Sequence, residues 1–280
     1  MITGSCLCGA VRYQVDGPLA RMTHCHCSMC RKVHGAAFAT YATGGTSRFA
    51  WIAGEDAITH FESSPGVDRA FCRHCGSVVP SRFADTLALP AGNLDGDPGV
   101  RPSAHIFTAQ AAPWHRIADE LPQHEDWDYQ SERSAVARPP LGAPSPGVLR
   151  GSCLCGAVAF EVTGPIVRAH NCFCSRCRKG RSAAHASNAF TAMDDVRFTR
   201  GEDRSTLFKL PEARFFSTVF CSSCGSGVPR KDPARNIAVI PMAALDDDPR
   251  RGVDSNIFVS SAAPWYPAPR DRPCFDGPAV

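Results

Sequence analysis

Residues 4–11 read GSCLCGAV, and the same eight letters return at residues 151–158. Chance does not produce such a match, so the chain of 280 residues carries an internal duplication. A repeat of this period means two domains rather than a solenoid. The copies extend into AVRYQV and AVAFEV, where apolar and polar residues alternate before the turn signals DGP and TGP. SRFAWIAG, AITHFE, DTLALPAG and AHIFT are further short runs of this type in the first half. Glycine and proline punctuate them, no segment has a long amphipathic helical period, and only the region after CSMC suits a short helical turn. The expected fold is mainly β, in two copies. The division is residues 1–128, a linker at 129–147 rich in Pro, Ser, Ala and Arg, and a more divergent second domain at 148–280.

The cysteines repeat in register. The first half holds Cys6 and Cys8, then Cys25, Cys27 and Cys30, then Cys72 and Cys75. The second holds Cys153 and Cys155, then Cys172, Cys174 and Cys177, then Cys221 and Cys224. Cys274 stands outside the pattern, opposite Gln123, where an incidental thiol is expected. No apolar run reaches the length of a membrane span, and the first motif begins too early to leave room for a signal peptide, so the expected address is cytoplasmic. Close-set cysteines in a reducing compartment are metal ligands or redox groups rather than disulfides.

Seven thiols per half divide as four plus three. A closed structural zinc takes four ligands, and three leave one position open to water or substrate. In CLC the two side chains share one face of a strand, and in CRHCG the pair flanks a turn where Gly76 can take a positive φ. These pairs suit one closed site, and CHCSMC suits the open one. Other groupings, and a second site that is closed and purely structural, remain open at this level. The duplication supplies a control for a fourth ligand: His24, His26 and His34 are answered by Asn171, Phe173 and Arg181, so a design shared by both halves excludes them. A shifted ligand at His170 in the second half stays open.

The order of motifs GSCLCGAVRYQV, HCHCSMCRKVHG, FESSPGVDRAFCRHCGS, AGNLDGDP, HIFTAQAAPW and LPQHE over residues 4–125 resembles the glutathione-dependent formaldehyde-activating enzymes. That family shares its domain with centromere protein V and has an Mss4-like β fold. The resemblance implies a structural zinc on Cys6, Cys8, Cys72 and Cys75. It implies a second zinc on Cys25, Cys27 and Cys30 whose fourth position accepts the glutathione sulfur. Applied to both halves, it allows up to four zinc ions per chain. The implied activity is carbon–sulfur lyase chemistry, run as the condensation of glutathione, or a similar thiol, with formaldehyde or another small aldehyde to give S-hydroxymethylglutathione. The alternative is a non-catalytic zinc module that binds glutathione or mediates interactions.

Glutathione is anionic, so nearby cations would orient it. Arg31 and Lys32, directly after Cys30, are the first candidates, and Arg69 and His105 the weaker ones. Trp114 is expected in the core. The second half departs from the motifs at Ser182 for Gly35, Ala243 for Gly92 and Asn256 for His105. It is therefore expected to serve structure more than turnover, in an intramolecular pseudo-dimer. The formal charge of +3 does not favour nucleic acid, and four Zn²⁺ on fourteen thiolates would shift it to about −3.

Overall fold

The computed structural model describes residues 1–83, 86–127, 139–143 and 145–279. Most of the expected linker, 129–138 and 144, lies outside these residues. The fold is mainly β, and no sheet among the described residues mixes strands from the two halves. In the first half, Ile2–Ser5 and Arg12–Val15 form a hairpin flanked by Leu94–Asp95 and Phe49–Ala53. A second sheet runs in the order Pro102–Ile106, Arg21–Cys25, Ala39–Gly45, Thr86–Pro90, Ser81–Phe83, its first pair parallel and the rest antiparallel. Ile58–Ser64, Val67–Cys72 and Val78–Val79 make a third.

The second half repeats this plan. Its large sheet runs Arg230–Asp232, Ile237–Pro241, Ala186–Ala192, Arg168–Cys172, Ser255–Ile257, Cys274–Phe275. Cys274 pairs with Asn256 in parallel register, as Gln123 bridges to His105 in the first half. The expected equivalence of Cys274 and Gln123 therefore holds. The Cys274 thiol donates to the Pro269 and Arg272 carbonyls, a local structural role.

There are two α-helices among the described residues, α1 (Ser28–His34) and α2 (Ser175–Arg181), each following a CxC strand end. Each is capped by a cysteine: Cys27 Sγ accepts from the Cys30 N–H, and Cys174 Sγ from the Cys177 N–H. Gly35 ends α1 in the left-handed region at φ 57°, and Ser182 takes the same conformation at φ 53° without glycine's freedom. Its Oγ bonds the Lys179 carbonyl, which offsets part of that strain. The substitution noticed in the sequence thus changes cost, not geometry.

The halves pack on each other through one hydrophobic core, in which Phe38 and Trp114 of the first meet Phe173, Trp265 and Tyr266 of the second. Polar contacts across it are reciprocal. Lys32 Nζ, buried, bonds the Ser152 and Ala244 carbonyls and pairs with Asp246 at 2.9 Å. Its counterpart Lys179 bonds the Ser5 hydroxyl at 2.6 Å and pairs with Asp95 at 2.7 Å. Phe71 and Phe220 meet edge to face across the same boundary. Each ring lies over the other half's knuckle glycine, so a Cβ on Gly76 would stand 2.5 Å from Phe220 and one on Gly225 2.6 Å from Phe71. Both glycines also have φ above 70°, so two separate constraints exclude a side chain there.

Histidines line the boundary, all buried except the half-buried His115. His24, His26, His105 and His115 come from the first half and His185 from the second. His105 bridges His26 at 2.8 Å and Asp119 at 2.9 Å. Burial lowers both His115 and His185 to about 3, with neighbouring cationic groups adding to it, so both are neutral near pH 7.

Candidate metal centres

Four cysteine groups assemble, and they are the ones the repeat spacing suggested. Cys6, Cys8, Cys72 and Cys75 bring all Sγ atoms within 4.8 Å of one another, as do Cys153, Cys155, Cys221 and Cys224. The trios Cys25, Cys27, Cys30 and Cys172, Cys174, Cys177 meet the same limit. No histidine, carboxylate or further cysteine among the described residues joins either trio. None of these cysteines is in a disulfide.

Sulfur spacing tests whether a metal fits. A tetrahedron with Zn–S bonds of about 2.3 Å has edges of about 3.8 Å. Cys6–Cys8 and Cys153–Cys155 are 3.4 Å apart, Cys8–Cys72 3.7 Å, Cys155–Cys221 3.8 Å and Cys172–Cys174 3.6 Å. Backbone N–H groups of Val11 and Val158 point at Cys6 and Cys153 sulfur, a donor arrangement that favours thiolate. Packed protonated thiols make poor hydrogen bonds, so this crowding is what a thiophilic ion would relieve. The donor set suits zinc, with a closed group and a three-ligand group in each half.

The first trio is buried beneath Met29, Tyr41, Phe107 and Trp127. Strand alternation separates it from the histidines. Cys25 pairs with Ile106 on one face, while His24 pairs with His105 on the other. His105, expected to orient the substrate, therefore belongs to the boundary between halves. His34 is also turned away: its Nδ1 faces the Arg181 carbonyl, which only accepts, so Nδ1 carries the proton. Burial lowers His34 to about 4 despite the pull of Cys30, so the ring is neutral and Nε2 accepts from the Tyr41 hydroxyl at 2.8 Å.

The expected cations separate. Lys32 is placed differently from the expectation, because its ammonium is committed to Ser152, Ala244 and Asp246 of the second half. Arg31 stays near the trio but is tied by Nε to the His26 carbonyl at 3.1 Å. Arg69, ranked lower in the sequence, holds its guanidinium 3.7 and 3.8 Å from Cys30 Sγ and donates to Ser63 at 2.8 Å. Burial acts most strongly, lowering its pKa, but Cys30, Tyr41 and Cys27 together outweigh this and raise it, so the cation is held firmly. Cys30 itself is pulled well below an ordinary thiol by hydrogen bonds from Cys25 and Cys27, with Arg69 adding to the effect. Spacing could not reveal Arg69, because strand pairing brings it to Cys30 across 39 residues.

The family model described as "Glutathione-dependent formaldehyde-activating enzyme" matches residues 1–110 and again 148–261. The chain belongs to that family, twice over. A curated Halomonas elongata protein named "Putative glutathione-dependent formaldehyde-activating enzyme" is 28% identical over 128 residues, covering 42% of this chain and 81% of that relative. A crystal structure of a Rhodobacter sphaeroides protein shares 29% identity over 35% of this chain and 87% of its own. Its TM-score of 0.29 is too low to carry weight. In family terms, each matched segment contains one complete trio and one complete four-cysteine group. No helix among the described residues is long and apolar enough to cross a membrane.

Proposed function

We propose that the protein is a zinc-dependent carbon–sulfur lyase and synthase that joins glutathione, or a similar small thiol, to formaldehyde. The observation that carries this reading is the first trio, three cysteine sulfurs with a guanidinium on Cys30 and no fourth protein ligand among the described residues. Cys25, Cys27 and Cys30 would hold the ion. When bound, zinc would supply a Lewis-acidic position that keeps a thiol ionised near pH 7, where a free thiol is only about 3% thiolate.

The chain's own groups position the reactants. Arg69, and Arg31 beyond it, offset the negative charge of the thiolates and attract the carboxylates of an incoming thiol. Tyr41 donates its hydrogen to His34, which leaves its oxygen able to accept a hydrogen bond from that thiol. The thiolate sulfur then forms a bond to the formaldehyde carbon as the carbonyl π pair moves to oxygen. The proton shed by the thiol returns to that oxygen, and the adduct is S-hydroxymethylglutathione. Holding the small aldehyde against the sulfur adds a positioning advantage.

The four-cysteine groups are read as structural zinc. The chain is read as two domains, 1–128 and 148–280, docked as an intramolecular pseudo-dimer, which the reciprocal Lys32 and Lys179 contacts support. Exchange between glutathione, formaldehyde and their adduct, followed by NMR, tests the activity. Faster exchange with the zinc-loaded chain, lost in Cys27→Ser, is expected. Exchange at the spontaneous rate would leave only a thiol-binding module.

A further inference from the structure

The second trio stands in different surroundings from the first. Cys172, Cys174 and Cys177 border a cleft of about 430 Å³. Corresponding positions show how it was remodelled. Tyr41 beside the first trio becomes Asn188, Met29 becomes Arg176, His34 becomes Arg181, and Arg69 becomes Thr218. All four replacements line the cleft. The guanidinium has thus moved from a strand to the end of α2, and the loss of the Tyr41 ring leaves room.

The cleft's charge is one-sided. Arg176, Arg181, Arg214, Arg230 and Arg235 line it, and no acidic side chain among the described residues does. Arg230 and Arg235 share Asp232, but Arg176, Arg181 and Arg214 pair with no carboxylate among the described residues. The walls are also aromatic. Arg214 and Arg235 lie 4.7 and 5.0 Å from the Phe215 ring, and Arg176 lies 5.7 Å from Phe216. Phe215 is 54% exposed, an unusual position for a large apolar ring, and Phe190 and Phe258 face the same space. Asn188 Oδ1 is buried with no hydrogen-bond partner among the described residues.

Unpaired guanidiniums call for an anion, and cation-backed rings for a flat apolar group. We propose that the cleft of the second half is a separate binding site for anionic thiols that carry an aromatic or similarly flat group. The carboxylate meets Arg181 and its neighbours, the flat group lies against Phe215 and Phe216, and the sulfur reaches the trio. This rests on the reading that a three-cysteine site accepts a thiol sulfur. The second half is then a working site with its own selectivity, rather than the structural copy expected from its divergent motifs.

The test is calorimetric titration of the zinc-loaded full-length chain with 4-mercaptobenzoate, in parallel with the glutathione exchange measurement. Binding should survive Cys27→Ser, which cripples only the first trio. It should weaken at least about tenfold in Arg181→Ala, recover in part in Arg181→Lys, and be lost in Asn188→Tyr, which restores the ring of the first half. Circular dichroism and zinc content identify any variant that fails to fold, and Asn188→Tyr, at a half-buried wall position, then decides. Absence of saturable binding, or equal binding in wild type and Asn188→Tyr, overturns the proposal. Equal binding of 4-(methylthio)benzoate also overturns it, because the site would then hold anions rather than thiols. Variant-sensitive binding of the thiol alongside unaccelerated glutathione exchange upholds this site while the first-half activity fails.

Discussion

Arg69 shows how much rests on a single side chain. Its guanidinium touches Cys30 and is anchored by Ser63, so removing it takes away charge without removing a ligand. Arg69→Ala is expected to slow glutathione–formaldehyde exchange by at least about tenfold, consistent with loss of one charge-assisted contact of about 1.5–3 kcal/mol. Zinc content should be unchanged, as measured by inductively coupled plasma emission. A fall in zinc to one ion in the first half would instead make Arg69 part of metal retention. Ser182 illustrates a different constraint, since its left-handed φ is tolerated at some strain. Ser182→Gly should raise stability by up to about 1 kcal/mol, read as a higher denaturant midpoint at constant slope.

Elements in this fold are short, and the closed cysteine groups join them. Cys6 and Cys8 sit in the turn between Ile2–Ser5 and Arg12–Val15, while Cys72 and Cys75 end the Val67–Cys72 strand and its knuckle. A shared ion would therefore tie two sheets that also meet through Val11, Ala57, Ala70 and Val79. The trio is different, since Cys25, Cys27 and Cys30 all lie on one strand end and the helix that follows it. Cys72→Ser is expected to abolish cooperative unfolding of the first half, given that structural zinc contributes on the order of 10–16 kcal/mol in small peptides. Cys27→Ser should keep native circular dichroism and lose one zinc. Equal spectral losses in both would contradict this division of roles.

At the scale of the whole molecule the boundary between halves carries an acid-sensitive part of the stability. His115 and His185 are neutral there, lowered to about 3, whereas an unfolded histidine titrates near 6.5. Between those values the unfolded chain binds more protons, so stability is full above about pH 6.5 and falls as pH drops toward 3. The melting temperature should decline steadily from pH 7 to pH 4. His185→Phe should flatten that decline, because the ring packs among Phe38, Phe173 and Tyr266 and no group among the described residues bonds either nitrogen. An unchanged slope would place the acid sensitivity elsewhere. Residues 1–127 expressed alone would expose Phe38 and Trp114, and should self-associate through that face in sedimentation velocity. A stable monomer would show that the halves fold independently of their contact.

The sequence by itself determined the duplication, the mainly β class, the register of the cysteines and the equivalence of Cys274 with Gln123, and it favoured a division of seven thiols into four plus three that the folded chain then assembles. These follow from covalent spacing: CxC and CxxC keep their sulfurs within reach of one ion, and a repeat aligns one half on the other, although CLC lies in a turn after Ile2–Ser5 rather than on the strand face expected of it. Only the tertiary structure decided which cations meet the trios. Lys32 is two residues from Cys30, yet its ammonium is buried against Asp246 of the other half, while distant Arg69 reaches the sulfur. The same holds for His105, which strand alternation puts on the opposite face from Cys25. Ligand spacing is local chemistry and is written in the chain. The surroundings of those ligands are set by which strands pair and which surfaces meet, and no interval along the sequence encodes that.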